Sequence, residues 1–306
     1  MVNYKQSSQK MQSKIGVIGK PGKWSTEVLA DAIEERTGFR LVIDMSKVHL
    51  DLISNKLYYK DNDLCSLDAL VIKKISSRYN PNTLDRLEML RIAEHAGVRV
   101  FSSAEKIIRL LDRLSCTVTL RNHNIPMPDT IITEDTEIAF KTVREFGCAI
   151  FKPLFSTKAR GMIQIESQSK ETQIRHQIEE FKKNHQMMYI QKYMNLPGKD
   201  LGLIFLNGQY LGTYARVSQS DTWNTTINSG GRYELYQPSQ EIIDIATKAQ
   251  SLFNMDYTTV DVAETEQGPV VFEVSAFGGF RGAQEGAGID AASLYTEHVI
   301  NSLESH

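Results

Sequence analysis

Apolar runs and amphipathic segments alternate along the first hundred residues of the chain. The run "KIGVIG" predicts a buried strand, and a helix is predicted to begin near Ser25, after a turn that contains Gly19 and Gly22. Further buried strands are predicted from Phe39, in "LDALVIKKI", and after Gly97, which ends the helix in "NTLDRLEMLRIAEHAG". Strands that alternate with helices in this way predict an open parallel α/β sheet.

The pattern changes near residue 110 to strands with short helices, and later to hairpins. "EFGCAIFKPL", a helix over 170–184 and "QMMYIQKYM" predict an α+β unit. Asn207-Gly208 lies between two apolar runs and predicts a two-residue hairpin turn. A helix over 239–253, strands in "TTVDVAE" and "GPVVFEVS", and a helix over 290–303 complete the predicted elements.

These patterns divide the chain into a short polar start and three structured parts. We expect a mixed α/β and α+β fold. The predicted parts are a flexible N-terminus over 1–14, an open parallel α/β domain over 15–108, a small lid subdomain over 109–192 and a C-terminal subdomain over 193–306.

Composition and charge exclude several classes of protein. The 306 residues are 41% hydrophobic and 24% charged, with a formal net charge of -2, which is typical of a soluble globular protein and not of a nucleic-acid or membrane binder. Cys65, Cys116 and Cys148 are widely spaced, and the histidines show no metal-ligand spacing. The N-terminus lacks the apolar core of a signal peptide. We therefore expect a cytoplasmic protein with free thiols, in which any basic site is local.

The stretch "CAIFKPLFSTKARGMIQIE" places Lys152 at the end of an apolar strand and follows it with a loop of small and basic residues. A lysine in an interior strand is costly unless its ammonium has a partner, and a loop of small residues lets backbone N–H groups approach an anion. The pair is typical of a polyphosphate site. A surface hairpin whose lysine extends into solvent explains this segment equally well.

Two carboxylates in the last predicted hairpin favour the phosphate interpretation. Asp261 and Glu273 are expected at facing positions of two adjacent strands, at the inner ends of otherwise apolar runs. Both can then bind one hard cation, with phosphate oxygens as further ligands. A structural ion pair is the alternative.

Six segments follow one another in order between about residues 100 and 300: "LLDRLSCTVTLRNHNIPMPDT", "FKPLFSTKARGM", "MYIQKYM", "GKDLGLIFLNGQYLGTYAR", "WNTTINSGG" and "VDVAETEQGPVVFEVSAFGGF". In order and spacing they resemble the ATP-grasp fold, and within it the RimK-like branch of ribosomal-protein glutamate ligases. The first domain has the size of the α/β domain that precedes the ATP-grasp domains in this family. A looser similarity links the chain to the ATP-grasp group of the GAK system.

The resemblance implies an ATP site. Lys152 is expected to contact the α- and β-phosphates, and Arg113 stands where the family has its first ATP-binding lysine. Lys158 and Gly161 belong to the flexible phosphate loop, where a plain solvated loop is the alternative for Lys158. Asp200 is expected near the ribose or the phosphates. The adenine edge is expected to bind the backbone of Gln191, Lys192, Tyr193 and Met194, with Phe151 or Ile150 against its face.

The resemblance also implies a magnesium site, which manganese could fill, and a catalytic arginine. Asp261 and Glu273 are expected to hold the metal, with Ser275 as a further ligand. Arg216 matches the family arginine that faces the γ-phosphate and the acyl phosphate, and together with Lys152 it is the catalytic candidate.

The chain departs from the family pattern at several positions. Ser275 replaces the asparagine of Glu-x-Asn, which exchanges an amide oxygen for a weaker hydroxyl ligand. Gly202 replaces the arginine of Asp-x-Arg, and Thr226 and Ser229 stand where the family has asparagine and arginine. The two missing positive charges make glutamate a doubtful amino substrate.

The resemblance implies an ATP-dependent carboxylate–amine ligase that works through an acyl phosphate, on an amino acid, a peptide or a protein tail. A nucleotide-binding protein with little ligase activity that serves a partner protein, and a phosphoryl transferase, are the alternatives. Expected partners are ATP and the two substrates, with neither nucleic acid nor membrane, and with a homo-oligomer as an open option.

Overall fold

The computed structural model describes residues 13–156, 159–196, 198–218 and 231–305. The predicted flexible N-terminus thus lies almost entirely outside the described residues. The chain divides into two compact units. The first contains residues up to 75, 89–101 and those from 292, and the second contains 76–88 and 102–291. The proposed boundaries near 108 and 192 stay a prediction.

The first unit is built on a four-stranded parallel sheet with the order β2-β1-β6-β7. Its strands are β1 (Ile15–Ile18), β2 (Val42–Ile43), β6 (Ala69–Ile72) and β7 (Arg99–Phe101). Every residue of β1 and β6 is buried, as expected for strands covered on both faces. The predicted open parallel sheet is therefore confirmed.

Helices connect these parallel strands. Helix α1 (Trp24–Thr37) ends where Gly38 adopts a left-handed conformation (φ 70°) and its N–H donates to Glu34 O. Only glycine takes that conformation without a steric cost, so the helix stops there. Helix α2 (Asn82–His95) precedes β7, and helix α9 (Ala291–Glu304) ends the chain.

The first unit also contains a three-stranded antiparallel sheet that the hydrophobic pattern did not predict. Its strands are β3 (Val48–Asp51), β4 (Lys56–Tyr59) and β5 (Asn62–Asp63). The tight turns between them place Asn55 and Lys60 at positive φ. Each strand is short, and its apolar residues are few, so the alternation is weak.

The smaller sheet of the second unit is antiparallel, with the order β10-β9-β11-β8. Its strands are β8 (Thr130–Thr133), β9 (Cys148–Lys152), β10 (Ile163–Glu166) and β11 (Met188–Lys192). Helices α5 (Thr136–Phe146) and α6 (Glu171–Asn184) bury one face of it in an apolar core that includes Phe151 and Ile190. The opposite face carries Lys152 and Gln191.

The larger sheet of the second unit is also antiparallel, with the order β14-β13-β12-β15-β16. Its strands are β12 (Lys199–Leu206), β13 (Gln209–Val217), β14 (Arg232–Leu235), β15 (Tyr257–Thr265) and β16 (Gly268–Val274). Asn207 and Gly208 both have positive φ, which confirms the predicted two-residue turn.

Helices complete the second unit: α3 (Ala104–Leu111), α4 (Arg113–Asn122), α7 (Gln240–Ser251) and α8 (Phe280–Ala287). The chain between residues 104 and 122 thus forms two helices. The break is at Asp112, whose carboxylate caps α4 by accepting from Leu114 N (3.0 Å). No helix among those described is both long and apolar enough to cross a membrane.

Candidate active site

Lys152 ends strand β9 on the face that turns away from the apolar core. Lys152 pairs with Tyr189, and Ile150 pairs with Gln191, so these four side chains share one face of the smaller sheet. The ammonium of Lys152 donates to Gln191 Oε1 (2.5 Å) and lies over the ring of Phe272. The lysine therefore does not extend freely into solvent, which removes the alternative interpretation of this strand.

The environment of Lys152 disfavours its charged form. Burial and, to a smaller extent, the positive charge of Arg113 lower the pKa of Lys152 to about 7, whereas the charge of Glu273 opposes the shift. An anionic phosphate beside the ammonium would restore the charge. A polyphosphate bound beside Lys152 would therefore be accompanied by the uptake of a proton.

Binding of ATP to the protein is therefore expected to take up a proton above pH 7, since phosphate raises the pKa of Lys152 again. Affinity should fall as pH rises from about 7 to 9, by up to about tenfold per unit. Calorimetry in buffers of different ionisation enthalpy measures the proton uptake. Lys152→Arg, whose guanidinium stays charged, should flatten the profile; an equally steep profile in that variant would show that another group titrates.

Arg113 is held at the start of α4, beside the end of β9. Its Nε donates to Pro153 O (3.3 Å), and its Nη1 lies 3.3 Å from Glu273 Oε2. The guanidinium also lies over the ring of Tyr189, at 5.8 Å from its centroid. Arg113 therefore links the smaller sheet to the carboxylates of the larger one.

The larger sheet carries Asp200, Arg216 and Asp261 on the same face. Asp200 and Arg216 are cross-strand neighbours, and Arg216 donates to Asp200 Oδ2 through Nε (3.0 Å) and through Nη2. Nη2 also lies 2.9 Å from Asp261 Oδ2. Burial opposes the charge of Arg216, but the two carboxylates raise its pKa well above the usual value. Arg216 is thus a permanent cation at this point.

Asp261 and Glu273 face each other across β15 and β16, as predicted. Burial, together with the negative charges of Glu273 and Asp200, raises the pKa of Asp261 to about 7 against the opposing charge of Arg216. Among the described residues, the buried Oδ1 of Asp261 has no hydrogen-bond partner. Two facing carboxylates with an unbound oxygen fit a divalent cation, which would remove their mutual repulsion.

The protein offers this cation few further ligands. Within the described ranges, no group of three or more His, Cys, Asp or Glu residues is suited to hold a metal ion. Ser275 follows β16. Its N–H donates to Thr259 O (2.8 Å) and its carbonyl oxygen accepts from Thr258 Oγ1 (2.6 Å), so its backbone is fixed. Its role as a ligand stays a prediction. Phosphate oxygens and water would complete the coordination shell.

A comparison with the sequence models of known families identifies the family of this chain. The model of the family described as the RimK-like ATP-grasp domain matches residues 111–299. The chain belongs to the RimK-like ATP-grasp family. It is accordingly an ATP-dependent carboxylate–amine ligase, with ATP and Mg²⁺ as its cofactors. The looser similarity to the GAK-system group stays a prediction.

Relatives and solved structures agree with this family. The tetrahydromethanopterin:alpha-L-glutamate ligase of Methanosarcina acetivorans is 24% identical, over 95% of this chain and 99% of the relative. A probable alpha-L-glutamate ligase of Aeromonas salmonicida is 25% identical, over 94% and 96%. The ATP-grasp ligase PsnB, complexed with a minimal precursor, has a TM-score of 0.73 at 19% identity and covers 95% of this chain and 99% of its own. A RimK domain protein of Sphaerobacter thermophilus has a TM-score of 0.71 at 19% identity, over 94% and 100%. The predicted ATP-grasp fold is confirmed.

The segment predicted to hold adenine, residues 191–194, begins with the last two residues of β11. Lys192 N donates to Asp129 O (2.8 Å) and Tyr193 N to Cys148 O (2.9 Å), so these two N–H groups are already used. The N–H group of Met194, the last residue of the segment, is therefore the candidate donor of a hydrogen bond to an adenine nitrogen. Phe151 is the wrong candidate for the adenine face, because its ring lies in the apolar core against Phe181. Ile150 shares the face of Lys152 and remains the candidate.

Part of the predicted phosphate loop lies outside the described residues, including Lys158. Gly161 lies in the described part with φ 74°, and a Cβ there would come within 3.1 Å of Pro153 Cγ. The position thus requires glycine. Glycine is also the residue that lets the backbone of a loop approach a ligand closely. Contact of Gly161 with phosphate stays a prediction. Thr226 and Ser229 also lie outside the described residues.

Two parts of the site were not found in the sequence. The side chain of Gln191, and not only its backbone, contacts Lys152, and it is oriented by Thr130 Oγ1 (3.1 Å) and Tyr189 Oη (3.4 Å). Asp200 binds Arg216, whereas it was expected near the nucleotide; a nucleotide contact stays a prediction. The alternation of β11 and β12 predicts that Gln191 and Asp200 point to the site face. It does not reveal which side chains they contact there.

Proposed function

We propose that this ligase joins a carboxylate to an amine through an acyl phosphate, at the face shared by the two sheets of the second unit. One observation carries the proposal. Acidic and basic side chains adjoin one another from Asp200 through Arg216, Asp261 and Glu273 to Arg113, and Lys152 lies beside the last of them. Such a row suits a polyphosphate, a metal and a transferred phosphoryl group.

Lys152 and Arg113 supply the positive charge for the nucleotide phosphates. Both are held by neighbours, Lys152 by Gln191 and Arg113 by Pro153 O and Glu273, so little side-chain freedom is lost on binding. Gln191 accepts from the ammonium and thereby keeps it on the site face. The phosphates would then meet preorganised donors, which is the main contribution of a protein to phosphoryl transfer.

Asp261 and Glu273 would hold Mg²⁺, which when bound neutralises charge on the phosphate oxygens. Arg216 is already paired with one of these carboxylates, Asp261. Its hydrogen bond to Asp200 would keep the guanidinium in place when Asp261 binds the metal. Arg216 would then face the transferred group and stabilise its charge, first on the phosphoryl oxygens and later on the carbonyl oxygen, which becomes negative when the amine attacks the carbonyl carbon.

We propose an amino acid, a peptide or a protein tail as the source of the carboxylate and the amine. The relatives in two organisms are named glutamate ligases, and PsnB was solved with a precursor. The missing arginine at Gly202 disfavours glutamate as the amine, because a second carboxylate would lack that cation. The peptide-like class is therefore the first to test.

The purified protein should be incubated with ATP, Mg²⁺ and pools of amino acids and peptides, while phosphate release is followed and the products are weighed by mass spectrometry. A ligase gives a product that equals the carboxylate plus the amine minus water. A product that has gained a phosphate would identify a phosphoryl transferase. ATP binding without turnover in any pool would identify a nucleotide-binding partner protein.

Ser275→Asn is expected to lower turnover, although asparagine is the family residue. The backbone of Ser275 is bound on both sides to the strand of Asp261, so the segment cannot shift to admit a larger side chain. Activity should be titrated against Mg²⁺ in both proteins. Higher turnover at lower Mg²⁺ would instead show that the wild-type protein lacks an amide ligand.

A further inference from the structure

Tyr214 lies on the site face of the larger sheet and belongs to none of the roles above. It lies two residues before Arg216 in strand β13, so both side chains point to the same face. Its side chain is only 3% exposed. A tyrosine buried at this place is either a packing residue under α8 or a part of the reaction site, and its surroundings distinguish the two.

Glycines form a narrow slot around the ring of Tyr214. A Cβ on Gly202 would lie 2.3 Å from the Cζ atom of the ring, and a Cβ on Gly282 of helix α8 would lie 2.5 Å from the same atom. The ring is therefore held between the sheet and the helix, where only glycine leaves room for it. Gly286 admits the Cβ end of the side chain in the same way.

The slot directs the hydroxyl end of Tyr214 toward the carboxylates. The Oη atom would be 2.6 Å from a Cβ on Gly202, so the hydroxyl lies over that glycine. Gly202 pairs with Tyr214 on one side and with Asp261 on the other. The ring thus lies across β12, the strand that separates Tyr214 from Asp261, with its hydroxyl over Gly202 and 3.5 Å from a Cβ on Gly279.

The hydroxyl is suited to donate a hydrogen bond to an anion. Burial raises the pKa of Tyr214 far above its usual value, Arg216 opposes the shift and Asp261 adds to it, so the phenol keeps its proton. Within the described residues, no hydrogen bond of this hydroxyl is found. Buried tyrosine hydroxyls usually have a partner, which a ligand at this place would supply.

We propose that Tyr214 is a catalytic residue whose hydroxyl donates a hydrogen bond to an oxygen of the phosphoryl group being transferred, beside Arg216. This inference rests on the proposed function. The phenol adds a neutral donor beside Arg216, so charge on the transferred group is met there by one guanidinium and one hydroxyl. The glycines of the slot are then part of the catalytic apparatus, because they fix the position of that hydroxyl.

Tyr214→Phe keeps the ring in the slot and removes only the hydroxyl. Turnover should fall by about 10- to 100-fold, while the affinity for Mg·ADP and the melting temperature stay unchanged. Tyr210→Phe is the matched control on the same strand, because the Tyr210 hydroxyl bonds to Thr213 Oγ1 (2.8 Å) outside the site. Equal turnover in wild-type protein and Tyr214→Phe would overturn the proposal, as would a loss of Mg·ADP binding together with stability.

A second measurement does not depend on finding the substrates. Mg·ADP with beryllium fluoride mimics the γ-phosphoryl group and needs neither carboxylate nor amine. Tyr214→Phe should bind this complex about tenfold more weakly than wild-type protein does, with Mg·ADP alone unaffected. If no substrate pool supports turnover but this difference is found, the ligase assignment fails and the contact of Tyr214 stands. Identical binding of the mimic by both proteins would contradict the contact itself.

Discussion

Replacing Lys152 by methionine should weaken ATP binding by about 10- to 100-fold, because a charge-assisted hydrogen bond is worth about 1.5 to 3 kcal/mol. Methionine keeps the length and the apolar stem of the side chain, so the fold should stay intact. The ammonium is costly where it is, since burial lowers its pKa to about 7, and an anionic ligand is what compensates that cost. Calorimetric titration with ATP measures the loss.

Lys183→Met is the matched control for this variant. Lys183 lies on helix α6, which covers the opposite face of the smaller sheet, and its exposed ammonium is paired with the carboxylate of Glu180. The same substitution there should leave ATP affinity unchanged. If Lys152→Met binds ATP as tightly as the wild-type protein, the ammonium of Lys152 does not contact phosphate and the nucleotide lies elsewhere.

Asp261→Asn should reduce turnover by about 100- to 1000-fold and affect nucleotide binding far less. Metal ions contribute several kcal/mol of charge stabilisation in such reactions, and each 1.36 kcal/mol is a factor of ten in rate. Asparagine keeps the shape of the buried side chain but not the charge that faces Glu273. Metal-free nucleotide can still use Lys152, so its binding should persist. Steady-state rates and calorimetry separate the two effects.

Glu266→Gln, in the turn between β15 and β16, changes the same net charge away from the site and should be silent. Glu273→Gln should resemble Asp261→Asn, because the two carboxylates face each other. Full activity in both site variants would mean that the pair holds no metal and is part of an ion-pair network with Arg216 and Arg113.

The pairing of Asp261 with Glu273 could be predicted from the sequence because both lie in apolar runs joined by a short turn. The register, however, depends on an irregularity between Asp261 and Val262. A β-bulge moves one strand by a residue relative to its partner, and a slip by one residue turns a side chain to the opposite face. Hydrophobic alternation alone does not reveal such a shift. The predicted pairing of Asp261 with Glu273 was therefore correct, but the bulge that produces it was not predicted.

The same limit explains why the partner of Arg216 was missed. Strands β12 and β13 change register between Ile204 and Phe205, and beyond this point Asp200 faces Arg216 and Gly202 faces Tyr214. Counting outward from the Asn207-Gly208 turn without the shift would pair Asp200 with Ala215. A single bulge thus creates both the clamp of Arg216 and the glycine slot of Tyr214.

Contacts between distant segments were the least predictable. The sequence indicated Lys152 as a buried lysine with an anionic partner, whereas Gln191 and Arg113 come from other elements of the second unit. The residue types were recognised by resemblance, but their contacts depend on how two sheets and α4 pack. The small sheet of β3 to β5 was missed for a different reason, because its strands are too short for an alternation to stand out.

The central claim is that the second unit activates a carboxylate by phosphorylating it and then joins it to an amine. Transfer of oxygen-18 tests it most directly, once a pool that supports turnover has been found. With both oxygens of the carboxylate labelled, attack on ATP and displacement by the amine should leave one labelled oxygen in the released phosphate and the other in the amide. Unlabelled phosphate, with the second labelled oxygen in AMP or in water instead, would contradict the acyl phosphate and with it the proposed roles of Arg216 and Tyr214.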